Sequence, residues 1–274
     1  MIELLKTASG EFLASLPQIA VWTIVLGVAE RFYPAVEFKS LRGWLFNVKA
    51  SLLNLAGGAL AGAVGAYIGE QIRNALGGGL IHLTAEQTSG VSGAVGVPLM
   101  VALCYDFFYY WFHRAQHSYP ALWAIHKLHH MDEGINISTP ARHHWLEIFA
   151  RIPTVAIPMA VLLDVTTVSG AVVGMLLVGQ QMFNHANLKI TFGRLSWLFT
   201  GTQLHRIHHS RLPEHQDKNF AAVFPIWDLM FGTYFHPRPK EFPPTGVEGE
   251  PDVHTVWAAS LLPFRVWRQA LRSH

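Results

Sequence analysis

Long apolar runs joined by short polar links dominate the first two thirds of the chain. The first run spans Leu16 to Tyr33, the second Leu45 to Ile68 and the third Val97 to Phe112. Each approaches the ~20 apolar residues that a helix needs to cross the hydrocarbon core of a bilayer. The second run carries Gly57, Gly58, Gly62 and Gly65, small residues that let neighbouring helices approach closely in lipid. A Gly/Ser-rich stretch from Gly77 to Gly96 reads as a connection. The third run ends in Phe107, Phe108, Tyr109, Tyr110, Trp111 and Phe112, a cluster that predicts a position at the membrane interface. A fourth apolar region, Ile148 to Phe183, has 36 residues and is interrupted by Asp164, Thr166 and Thr167. It predicts a helical hairpin, outward over Ile152–Leu163 and back over Val168–Phe183. One long crossing would leave His185 on the opposite side of the bilayer from His130.

Beyond His185 the pattern turns polar and prolines crowd between Pro213 and Pro251, which predicts a compact cap. The tail Val253–Leu271 mixes Trp257, Leu261, Leu262, Phe264 and Trp267 with Arg265 and Arg268, and Arg272 follows. This pattern fits an amphipathic helix at the interface or a core helix of the cap. The N-terminus, with Glu3, Lys6 and Glu11, reads as the start of a span and not as a cleaved signal peptide. The reading is therefore all-α: a polytopic membrane protein of about four transmembrane elements, one a hairpin, with a His-rich helical cap. Residues 1–96 form N-terminal helices and a connection, and 97–274 a chemical region with an interfacial tail.

Composition supports the membrane assignment. Of 274 residues, 51% are hydrophobic and 14% charged, against about 25% charged in soluble domains. Mean hydropathy is +0.26. A net charge of +2 offers no basis for nucleic-acid binding. A single cysteine excludes a disulfide framework, a Cys-based zinc site and an internal iron–sulfur cluster. With the histidine-rich segments cytoplasmic, only Lys6 and Arg73 of the 20 Lys/Arg lie outside, which is the bias of the positive-inside rule.

The histidines change the picture most. Eleven of 16 lie between positions 113 and 209. His113 and His117 are four apart; His126, His129 and His130 form His-x-x-His-His, and His205, His208 and His209 repeat it. His143 and His144 form a pair, and His185 follows the hairpin. Residues three and four apart share a helix face, so each group can aim its imidazoles at one point. Imidazole suits zinc, copper, iron and nickel alike. Nine or ten histidines exceed one ion's needs and match two ions with four or five each. Two neighbouring redox-active ions at a membrane face could activate dioxygen beside an apolar substrate.

Three acids stand near these groups. Asp106 shares a stripe with Tyr109, Tyr110, His113 and His117, Glu147 follows the His143–His144 pair, and Asp228 lies within the cap. Each could orient a ligand histidine. The chain contains no His-Glu-x-x-His motif, no Gly-x-Ser-x-Gly signature and no phosphate loop. Cys104 reads as an inert buried thiol.

The ordered boxes resemble the fatty acid hydroxylase / sterol desaturase superfamily of integral-membrane non-haem di-iron oxygenases. The resemblance covers roughly Val97 to Pro237, through Tyr105–His117, His126–His130, Arg142–Glu147, Asn184–Asn187, His205–Ser210 and Pro225–Tyr234. It implies two iron ions held by His113, His117, His126, His129, His130, His185, His205, His208 and His209, with His144 as a tenth candidate. It implies O2 as co-substrate and hydroxylation or desaturation at an unactivated C–H bond of a membrane lipid, whether sterol, fatty acyl or related. Some relatives carry another histidine where this chain has Gln181, and the family usually has Pro where this chain has Trp145. Electrons would come from a separate electron-transfer protein. Two other readings follow from the same histidines: a zinc-dependent membrane hydrolase, and a metal transporter. Zinc in purified protein would not decide among them, because it displaces iron at imidazole sites.

Overall fold

The structure is a computed structural model that describes residues 2–83, 89–164 and 167–272. Thr166 at the expected hairpin turn and His274 lie outside the described residues. Two long helices open the chain, α1 (Ile2–Phe32) and α2 (Leu41–Leu76). Ser40 caps α2 by accepting the Gly43 N–H, and Gly77, at φ 77°, ends it in the left-handed conformation that glycine adopts without strain. Next come α3 (Val97–Ser118) and α4 (Pro120–His130), the latter opened by Pro120 at its first position. Helix α5 (Trp145–Arg151) runs through a wide turn at Pro153 into α6 (Ile157–Leu162), and α7 (Thr167–His185) follows. The cap carries the short helices α8 (Thr202–His208) and α9 (Ile226–Phe231), and α10 (Val256–Ala270) closes the chain.

Four segments are long and apolar enough to cross a membrane: Leu5–Phe32, Leu41–Leu76, Gly93–Ser118 and Trp145–Leu162. The protein is a polytopic all-α membrane protein. The fourth apolar region forms a hairpin: α5 and α6 lead away from Glu147 to an extended Leu163–Asp164 segment, and α7 brings His185 back to within 3.0 Å of His129. At the far end, strand β1 (Ile81–His82) pairs in parallel with β2 (Leu163–Asp164). Close approach of α2 to α5–α6 depends on small residues. A Cβ at Gly69 would meet the Ala160 Cβ at 2.7 Å, too close for a side chain there without a shift of the helices.

The aromatic run of α3 departs from the interfacial reading. Tyr109, Tyr110 and Phe112 are buried. Tyr110 packs on Phe220 and Phe231, and Tyr109 belongs to a core with Ala222 and Val223. The cap covers these rings, and Trp111 stays exposed. Exposed apolar residues gather instead at Leu195, Trp197, Leu198 and Phe199, after α7, and at Ile226, Leu229 and Met230 of α9. Helix α10 buries Ala259 and Pro263 and donates Trp267 Nε1–H to the Ala121 carbonyl at 3.0 Å, while Trp257, Phe264 and Leu271 remain exposed. It therefore packs on the helical core and also presents an apolar face.

Buried polar clamps fix the segments that lead to the histidines. Glu30 accepts N–H bonds from Ile137 (2.8 Å) and Asn187 (2.6 Å), tying the end of α1 to both. Arg142, fully buried, donates to the Leu128 carbonyl (3.0 Å), to Asn47 (2.9 Å) and to the Asp252 carboxylate, and lies over the Phe46 ring. Its guanidinium meets a carboxylate, an amide and two carbonyls, as a buried charge requires.

The hairpin makes a direct topological prediction. In vesicles of one orientation, a cysteine at Asp164 is expected to react with an impermeant thiol reagent from the face opposite to one at Arg211. Reaction of both from the same side would break the hairpin.

Candidate metal centre

Nine imidazoles converge in two groups at the junction of α3, α4, α7 and α8. His113, His117, His126, His130 and His208 form one, with ligand nitrogens all within 4.8 Å of one another; His129, His185, His205 and His209 form the other by the same measure. The spacing explains the division. In α4 the i, i+4 pair His126 and His130 enters the first group and His129 the second. In α8 the pattern reverses: His205 and His209 enter the second group and His208 the first. Each His-x-x-His-His box is shared between two centres, whereas the sequence reading aimed each box at one point. His130 stacks on His209 with ring centroids 4.3 Å apart, so the two groups share a wall.

Nitrogen–nitrogen distances are those of a coordination shell. In the first group, Nε2–Nε2 distances are 3.1 Å for His113–His126, 3.2 Å for His126–His130 and 3.1 Å for His117–His130. In the second they are 3.0 Å for His129–His185, 2.9 Å for His185–His205 and 3.1 Å for His205–His209. Two nitrogens bound at about 2.1 Å to one ion and at right angles to each other lie about 3.0 Å apart.

The opposite ring nitrogens determine where the protons sit. His113 Nδ1 donates to the Phe220 carbonyl (2.7 Å), His208 Nδ1 to the Lys218 carbonyl (2.8 Å) and His185 Nδ1 to the Gln181 carbonyl (2.8 Å). His126 Nδ1 faces the Glu147 carboxylate at 3.2 Å. A carbonyl only accepts, so these Nδ1 atoms carry hydrogen and the neutral ring leaves Nε2 bare. Burial pushes the imidazoles of His126, His129, His130, His205, His208 and His209 below their ordinary range; neighbouring imidazoles add to this, and the Glu147 carboxylate opposes it at His126. The Nε2 atoms of His113 and His126, whose Nδ1 atoms are already committed to a carbonyl and a carboxylate, face each other at 3.1 Å. His208 Nε2 is buried without a hydrogen-bond partner. A shared cation resolves this arrangement, and the residues present fit an imidazole-held ion in each group.

The three acids act in two ways. Glu147 meets the histidines directly: one oxygen accepts from His126 (3.2 Å) and His143 (2.9 Å), and the other from Arg151 (3.0 Å). Asp106 and Asp228 act on a strap, residues 218–224. Asp228 accepts the N–H groups of Phe220 (2.8 Å) and Ala221 (3.0 Å). Asp106 accepts those of Ala222 (2.8 Å), Val223 (3.1 Å) and Phe224 (2.7 Å). Five consecutive backbone donors are thus held by two buried carboxylates. The strap's Lys218 and Phe220 carbonyls in turn orient His208 and His113. Asp106 and Asp228 reach the imidazoles through this backbone.

His144 stands apart from both groups. It caps α5, its Nδ1 accepting the Leu146 N–H at 3.2 Å, and its Nε2 donates to the Ser260 carbonyl at 3.1 Å. His143 takes the place beside the centre, stacked on His129 with centroids 4.0 Å apart and 17° between the planes. The resemblance implies His144 as the tenth candidate; in the structure His144 is the residue that caps α5, which begins at Trp145, and His143, one residue earlier, lies beside the centre. The histidines outside the boxes find other partners. His82 lies 3.5 Å from Asp164 at the far end, His215 3.3 Å from Glu241, His254 3.8 Å from Asp252, and His236 is close to Tyr234.

Residues 98–233, about half of the chain, match the family described as Fatty acid hydroxylase, and the match contains every histidine of the two groups. The chain belongs to the fatty acid hydroxylase superfamily. Similar curated proteins include the alkylglycerol monooxygenase of Xenopus tropicalis, 34% identical over 135 residues that make up 49% of this chain and 30% of that protein. The alkylglycerol monooxygenase of Danio rerio is 36% identical over 129 residues, 47% of this chain and 28% of that protein. An ornithine lipid hydroxylase of Rhizobium tropici is 28% identical over 148 residues, 53% of this chain and 44% of that protein. The chain spans less than half the length of each of these relatives. No solved structure is significantly similar to it. Within the superfamily region, the strap and Arg151 were not singled out from sequence. A backbone hydrogen bonded to carboxylates leaves no pattern of its own beyond Asp106 and Asp228.

The different positions of Glu147 and His144 lead to different outcomes. Glu147→Ala is expected to lower metal affinity about 10–100-fold, the usual effect of losing a carboxylate behind a ligand histidine. His144→Ala is expected to leave the number of bound ions unchanged. Metal titration of the detergent-solubilised protein, with ion content read by mass spectrometry, measures both.

Proposed function

We propose that this chain carries the catalytic region of an O2-dependent lipid hydroxylase whose two iron ions are held by the five- and four-histidine groups. The observation that carries this reading is the meeting of nine imidazoles in two groups, with bare nitrogens facing inward, at one end of a set of apolar helices. Two adjacent iron ions supply the activation of O2 needed to attack an unactivated C–H bond. The names of the relatives, a monooxygenase and a hydroxylase of lipids, favour oxygen insertion over desaturation. The positive-inside bias, with only Lys6 and Arg73 opposite, favours a cytoplasmic active face. One cysteine cannot hold an iron–sulfur cluster within these residues, which favours an electron source outside them.

The chain's own residues have distinct tasks in this reading. Glu147 and the Gln181, Lys218 and Phe220 carbonyls engage the Nδ1 atoms of His126, His185, His208 and His113 and leave those four Nε2 atoms available as ligands. Asp106 and Asp228 keep the strap rigid. The apolar faces of α9 and of residues 195–199 are suited to contact with lipid next to the site. The substrate is a membrane lipid that approaches from the bilayer.

Comparative lipid mass spectrometry of cells with and without the protein tests the function. One lipid class is expected to gain 16 mass units, dependent on O2 and on iron, and to lose that gain with His129→Ala. Turnover that persists in purified protein with zinc as its sole metal and without O2 would refute the hydroxylase.

A further inference from the structure

The two histidine groups differ in their access to water. A cavity of about 270 Å³ reaches the first group, with His117, His130 and His208 on its floor and Gln216, Asp217 and Glu248 among its rim residues. The Asp217 carboxylate is exposed and lies 3.4 Å from His117 Nδ1. His208, whose Nε2 is buried without a partner, lines the same cavity. None of His129, His185, His205 and His209 lines it, and all four are buried. Gly246, which also lines the cavity, donates its N–H to the His209 carbonyl at 3.3 Å, so backbone and not the His209 ring meets the cavity there.

We propose that this cavity is the water-side mouth of the five-histidine group, so that the ion held there exchanges with solution while the ion of the four-histidine group is locked in. The proposal rests on the two-ion reading above. Asp217 and Glu248 give the mouth two carboxylates that attract an incoming divalent cation and, with Arg211 also present, keep the passage hydrated. Small water-borne ligands of the metal reach the first group by the same route. Lipid, which arrives from the bilayer, has no need of it. The two centres then have separate supply lines, one aqueous and one apolar.

The full chain, purified in detergent and loaded anaerobically with iron(II), provides the test. Ion content is measured first, and release to the water-soluble chelator bathophenanthroline disulfonate is then followed by absorbance. The expected result is two ions per chain and two phases of one equivalent each, the first at least tenfold faster. Gln216→Trp, which fills the rim, is expected to slow the first phase at least tenfold and leave the second unchanged. Release of both ions in a single phase from the wild-type protein overturns the proposal without any variant. An unchanged first phase in folded, fully loaded Gln216→Trp protein overturns it as well. Fewer than two ions at loading contradicts the two-ion reading itself, a failure separate from that of the aqueous mouth.

Discussion

Bare imidazole nitrogens held about 3 Å apart in a buried space repel one another unless a cation lies between them. At His113 and His126 this constraint is plain: the outer nitrogens are committed to a carbonyl and a carboxylate, and the inner ones meet at 3.1 Å. Much of the surrounding architecture keeps them there. Four helices supply the ligands, one of which returns from a hairpin. Buried polar residues pin the connecting segments, and a strap of backbone holds two of the rings in orientation. Positioning of this kind is what a metal centre requires, because the ligands' own hydrogen bonds fix their tautomer and direction.

The carboxylates illustrate how membrane-buried acids are accommodated. Asp106 lies in a membrane-crossing helix, where a charge is costly and marks function by default. Three backbone N–H groups of the strap satisfy it. Glu147 gains two imidazole partners and a guanidinium. Asp106 thereby links α3 to the cap and Glu147 links α5 to α4, and the cost of burial is offset by hydrogen bonds that also order the site.

Much of this was legible in the sequence because helical periodicity is local. The i, i+3, i+4 spacing of His126, His129 and His130 already places them on one helix face. The interruption at Asp164 already implies the hairpin that returns His185. What spacing could not show is how one face is divided between two ions, since the division of each box depends on the angle at which α4 and α8 meet. Nor could it show that His143 and not His144 lies beside the centre, because the start of α5 at Trp145 is what commits His144 as the cap. The aromatic run of α3 misled for a related reason: Tyr109 and Tyr110 resemble an interfacial belt until a strap far along the chain, with Phe220 and Ala222, covers them. Long-range backbone contacts of this sort have no local signature.

The central claim is that imidazoles alone, four or five per ion, hold two metal ions. X-ray absorption at the iron edge of the loaded protein tests it most directly. The account predicts a first shell dominated by four to five imidazole nitrogens per ion at about 2.1 Å, with the outer-shell scattering of the rings. A first shell with fewer than two imidazoles per ion, or one dominated by oxygen or sulfur, would contradict it.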